Sequence, residues 1–135
     1  MTLDFEIEKI ILTSKTIAIV GASRDVSKAA NYVPEYLKEQ GYTIIPVNPK
    51  ADEILGEKAY HDLASIPFKV DIVDIFRPSE ETPAIVEQAV KLNPKLIWLQ
   101  MDISNEQAKK IAKKHGIKFV MDHCLMMEHI RLTEK

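Results

Sequence analysis

Short apolar runs alternate with amphipathic stretches along the chain. Ile17, Ala18, Ile19 and Val20 follow one another without polar interruption, the pattern of a strand buried on both faces of a parallel sheet. Tyr42 to Val47, Val70 to Phe76, Leu96 to Gln100 and Ile117 to Met121 also read as strands, and Gly56 to Tyr60 is long enough only for a brief edge strand. Leu3, Ile7, Ile10 and Ile11 fall at i, i+4, i+7 and i+8, which predicts a helix over 3–12. Pro34 suits the first turn of a helix that runs to Gln40 and stops at Gly41. A helix-like turn is expected around Asp62 to Ile66. Ile85, Val86, Ala89 and Val90 mark the buried face of the next helix. Ser104 and Gln107 form a capping box ahead of Ala108, Ile111 and Ala112. Cys124 to Arg131 closes the chain as a helix. Strands and helices in this alternation imply parallel βαβ units with right-handed crossovers, hence an α/β protein built on an open, doubly wound parallel sheet of five or six strands.

Composition changes this picture little. A length of 135 residues suits one domain covering 1–135 with a continuous core. Eighteen basic and twenty acidic residues give a net charge of −2, so no overall positive field argues for nucleic acid, and any basic site must be local. One cysteine excludes an intramolecular disulfide. Neither a signal-peptide pattern nor an apolar run of membrane-spanning length is present, which makes the cytoplasm the expected compartment.

Open parallel sheets bind ligands beyond the carboxyl ends of their strands, so the polar residues there matter most. The first strand runs into Gly21, where the chain must turn sharply. Ser23, Arg24, Ser27 and Lys28 then offer hydroxyls and cations beside backbone N–H groups, as a phosphate cradle would. A ligand-free Gly-Ala-Ser turn with solvated cations is equally consistent with that stretch alone. Ser23 and Val26 stand where a dinucleotide G-x-G-x-x-G motif has its second and third glycines, which argues against a standard NAD loop. The second strand ends in Asn48, Pro49 and Lys50 rather than in the acidic residue that holds an NAD ribose. A cation there favours a phosphorylated ribose, as in NADP or coenzyme A. Phe76, Arg77 and Pro78 end the next long strand, and Trp98 and Gln100 share one face of the fourth.

Taken together, Val20 to Arg24 with Ser27 and Lys28, Val47 to Lys50, Ile75 to Pro78, Trp98 to Gln100 and Val120 to Cys124 resemble the small stand-alone CoA-binding domain proteins. These are in turn similar to the nucleotide-binding domain of the succinyl-CoA synthetase alpha subunit. The likeness spans residues 12 to 132. It implies a three-layer, Rossmann-like domain with coenzyme A as ligand. On that likeness Gly21, Ala22, Ser23, Arg24 and Lys28 would contact phosphates, while Val47, Asn48, Pro49 and Lys50 would surround the 3′-phosphoribosyl part. Phe76, Arg77 and Pro78 would border the cofactor, with Trp98, Gln100 and Cys124 farther along. His123 departs from the arginine expected in the family, which would make any cationic role there depend on pH.

Cys124 is read either as an inert cysteine or as a thiol able to form a mixed disulfide with coenzyme A. Asp122, His123, Cys124, Glu128 and His129 match no standard zinc spacing, so no metal is expected. His61 and His115 read as helix-surface residues. Lys109, Lys110, Lys113 and Lys114 lie opposite an apolar stripe near a helix C-terminus, where cations are favourable. No Ser-His-Asp or Cys-His set is visible. The expectation is therefore a coenzyme A or acyl-CoA binding protein without catalytic machinery of its own, acting alone, as a homodimer or with a protein partner. An NADP-linked oxidoreductase or a partner-dependent acyl-CoA enzyme is the alternative.

Overall fold

The computed structural model describes residues 3–134. Asp4 caps the first helix, α1 (Phe5–Thr13), by accepting from the Glu6 N–H at 2.7 Å. Leu3 therefore precedes this helix and packs on the core from outside it. The first strand β1 (Thr16–Val20) is flanked by β2 (Thr43–Val47) and β5 (Ile72–Ile75), and the sheet continues through β6 (Leu96–Leu99) to β7 (Lys118–Val120), which makes β5 rather than β1 the central strand. All five strands are parallel, in the order β2-β1-β5-β6-β7. The chain moves outward from β1 to β2 and then crosses back to β5, so the reversal point of the winding lies between β1 and β5.

Helices α1, α2 (Ala29–Glu39) and α5 (Leu125–Thr133) cover one face through Ile7, Ile11, Val33, Leu37 and Leu125. The other face is covered by α3 (Thr82–Val90) and α4 (Glu106–Lys114) through Val86, Ala89, Ala108 and Ala112. This is a three-layer Rossmann-like arrangement, and the side-chain alternation along each strand divides the core in two. Along β1, Ile17 and Ile19 join the first cluster and Ala18 and Val20 the second.

Several local expectations need correction. Gly56 to Tyr60 does not add an edge strand to the five-stranded sheet among the described residues: Glu53–Ile54 (β3) and Glu57–Lys58 (β4) pair with each other as a separate small hairpin, and beyond it Tyr60 makes a single bridge to Val47. Asn105, not Ser104, caps α4, by accepting from the Ala108 N–H at 2.9 Å. Pro34 lies in the interior of α2 rather than in its first turn. A proline there has no N–H to give the carbonyl four residues back. That carbonyl belongs to Ala30, and it accepts instead from the Ser23 N–H at 3.1 Å. The irregularity in the helix thus becomes a tie to the loop that follows β1.

Asp74 is the other anomaly. It sits on β5 between Ile19 and Trp98, is 0 % exposed, and neither carboxyl oxygen has a hydrogen-bond partner among the described residues. Burial holds its pKa well above the usual carboxylate range and so favours the neutral acid in the folded chain.

Candidate functional site

The register sets the strand ends level. Val20 is aligned with Val47 and Ile75, and Ile75 with Leu99. Gly21, Asn48, Phe76 and Gln100 are consequently the first residues beyond one common edge. The ladder still reaches them: Gly21 N–H donates to the Val47 carbonyl at 3.0 Å, Phe76 N–H to Val20 at 2.9 Å and Gln100 N–H to Ile75 at 3.2 Å.

Gly21 has φ +86°, and a Cβ there would stand 2.9 Å from Arg77 Cδ and 3.1 Å from the Phe76 carbonyl oxygen. Only glycine lets the turns after β1 and β5 approach so closely. The loop beyond it is held from several sides. Asn48 Nδ2 donates to the Ala22 carbonyl at 2.9 Å, and Asn31 Nδ2 to the Ser23 carbonyl at 2.8 Å. Asp25 accepts from both the Ser27 hydroxyl and the Ser27 N–H, which keep its carboxyl below the usual range. The Ser27 hydroxyl is thus engaged within the loop. Arg24 Nε donates to the Glu53 carbonyl at 3.0 Å, fixing its side chain against the small hairpin.

Three hollows lie side by side above this edge. The first, about 520 Å³, has apolar walls from Val20, Val47, Leu63 and Ile85, with Asn48, Pro49, His61 and Gln88 around them. The second, about 430 Å³, is bordered by Gly21, Ala22 and Ser23 and by four cationic side chains: Arg24, Lys28, Lys50 and Arg77. The third, about 480 Å³, lies between α2 and α5 and includes Gln100 and Cys124. Gly21, Asn48, Lys50 and Arg77 border both the first and second, and Ala30 and Phe76 both the second and third. The three form one trough.

Lys28 occupies the N-cap position of α2 and offers no side-chain acceptor to the helix, whose first turn also lacks an acidic residue. The first N–H groups of a helix need an acceptor, and a cation beside them is unfavourable unless an anion intervenes. The start of α2, with Lys28 and Ala30, borders the second hollow without a side-chain cap. Arg77 differs from the other cations. Its Nε and one terminal nitrogen each lie 3.0 Å from the Glu81 carboxylate, so its charge is already matched in the free protein.

Two expected contact residues lie elsewhere. Trp98 is 0 % exposed, and its Nε1–H donates to the His123 carbonyl at 2.7 Å. It is core, because its own strand pairing and the chain after β7 close over it. Pro78 lines none of the three hollows and instead starts the 3₁₀ turn Ser79–Glu81. His123 likewise lies outside the trough, beside Leu3 and Ile7, with Nδ1 2.9 Å from the Met121 carbonyl. Gln100 does border the third hollow, while its Oε1 accepts from the Leu125 N–H at the start of α5.

Other lining residues escaped the sequence reading. His61 is on a loop, paired with Asp52 at 3.1 Å, and not on a helix surface. Met101, Met126 and Met127 gather at the third hollow from two separate segments. The Met pair two residues after Cys124 was the local hint. Lys109, Lys110, Lys113 and Lys114 are exposed on α4, as their spacing implied. Among the described residues no helix is long and apolar enough to cross a membrane.

Fold and trough together define a Rossmann-like α/β domain with a cationic crevice at the reversal point of its sheet. The chain belongs to the CoA binding domain family, which it matches over residues 15–130. A Bacillus subtilis relative, the uncharacterized protein YneT, is 38% identical over 124 residues, covering 92% of each chain. A solved structure from Thermus thermophilus has a TM-score of 0.92 at 42% identity, covering 97% of this chain and 99% of that one. An ADP-forming acetate–CoA ligase of Methanocaldococcus jannaschii is 31% identical across 96% of this chain, which spans only 20% of the ligase.

Proposed function

We propose that this chain binds coenzyme A along the trough, with the adenosine in the first hollow, the phosphates among the cations of the second, and the pantetheine arm directed past Phe76 towards the third. The observation that carries this reading is the order of chemistries along one edge: apolar walls, then clustered cations at an uncapped helix start, then apolar walls again. Coenzyme A presents a base, then charged phosphates, then a long uncharged arm, so its parts match the hollows in sequence. A net charge of −2 means that attraction comes from the local cations rather than from the whole molecule.

Titration calorimetry tests it with coenzyme A, its 3′-dephospho form and NADP. Coenzyme A is expected to bind, with affinity falling as salt is raised because exposed charges are screened. Lys28→Ala should weaken binding by about 1–3 kcal/mol, the contribution of a charge-assisted hydrogen bond to phosphate. Binding of NADP with no binding of coenzyme A would overturn the reading in favour of an oxidoreductase. The ligase relative favours a second reading, in which the coenzyme is presented to a partner protein that carries out acyl transfer. Under it the same binding would be seen, and thioester turnover would require a second chain.

A further inference from the structure

We infer that the third hollow is a seat for the acyl group of a CoA thioester, so that the preferred ligand is an acyl-CoA with an apolar chain rather than free coenzyme A. This rests on the coenzyme reading above and extends it to the far end of the ligand.

The chemistry of the walls carries the inference. The third hollow is bounded mainly by apolar side chains, Val33, Phe76, Ile103 and three methionines, Met101, Met126 and Met127, with Tyr32, Gln100 and Cys124 as its polar members. Methionine is unbranched and adapts to irregular apolar shapes, which suits chains of varying form. Met101 and Met127 are 53% and 54% exposed, an unusual placement for large apolar side chains drawn from different segments to one opening. Their exposure keeps this apolar lining accessible from solvent.

Gln100 adds a polar group to this lining. Gln100 has its Oε1 fixed by the Leu125 N–H at 3.0 Å, which leaves its amide nitrogen as a donor beside the hollow. That donor is suited to the carbonyl oxygen of a thioester. Continuity with the cationic hollow through Ala30 and Phe76 puts this seat at the end of the same ligand rather than at a separate site.

Calorimetric titration with coenzyme A, acetyl-CoA and hexanoyl-CoA decides the matter. Each fully buried methylene is worth about 0.8 kcal/mol, close to fourfold in affinity. In a half-open seat the four methylenes that distinguish hexanoyl from acetyl should together give about tenfold tighter binding. The double variant Met101→Ser, Met127→Ser, altered only at half-exposed positions, should reduce that gain to less than about threefold. If coenzyme A binds while hexanoyl-CoA binds no tighter than acetyl-CoA, or if the variant keeps the full gain, the acyl seat is refuted and the coenzyme reading stands. If neither coenzyme A nor any thioester binds, both fall.

Discussion

Gly21 concentrates the argument at the scale of single residues, because its backbone conformation and the space around it make separate demands. Its φ of +86° would strain any side-chain-bearing residue, by about 1–3 kcal/mol. The second demand is steric: a Cβ would meet the Phe76 carbonyl, a backbone atom that cannot swing away, at 3.1 Å. Gly21→Ala should therefore lower stability by about that amount and also weaken coenzyme A binding, by separating the turns after β1 and β5. Gly116 provides the control, with φ +71° but nothing within 4 Å of where a Cβ would stand. Gly116→Ala is expected to lower stability while leaving affinity unchanged. Urea unfolding and calorimetry on the two variants check both statements, and equal affinities would show that the contact at Gly21 does not shape the site.

At the scale of elements, α2 shows how an apparent defect positions a loop. An interior proline ordinarily destabilises a helix by about 3 kcal/mol. Here the Ala30 carbonyl that it frees receives the Ser23 N–H, so the loop after β1 is pinned to the helix start. Pro34→Ala would supply an N–H competing for that carbonyl. The expected result is a helix at least as stable as before and a looser loop. Ser23 amide exchange should accelerate, and coenzyme A affinity should fall by about 0.5–1.5 kcal/mol, the worth of one ordinary hydrogen bond. Unaltered exchange at Ser23 would mean that the tie does not hold the loop.

For the whole molecule, the buried acid at the centre of the sheet links stability to pH. Asp74 favours the neutral form when folded because burial raises its pKa, whereas in the unfolded chain it ionises above about pH 3.8. Above that pH the folded state binds more protons than the unfolded state, so this group lowers stability as pH rises, until the folded carboxyl itself ionises. The slope can reach about 1.4 kcal/mol per pH unit. Asp74→Asn removes the titration. Its stability relative to the parent, from urea unfolding between about pH 4 and 8, should climb with pH, and a difference independent of pH would show that the Asp74 pKa is not raised by folding.

The division of labour between sequence and tertiary structure follows from the range of the interactions involved. Unbroken apolar runs such as Ile17 to Val20 announce buried parallel strands, and Gly21, Asn48 and Phe76 at their ends mark where a crevice must lie, because these are local properties of the chain. Trp98 was unreadable in the same way: residue type and position fit a ligand contact, and only the packing of β5, β7 and the following turn shows its indole closed into the core. Whether Arg77 is free or matched depended on Glu81 lying one turn along in space. The methionine-lined hollow is assembled by α2, the turn after β6 and the start of α5, segments distant along the chain that meet only because the sheet is wound in this order. Local pattern determined the strands, the layers and the edge at which a ligand would sit. Long-range packing alone decided which side chains face that edge, since burial and pairing depend on neighbours that the chain brings together only on folding.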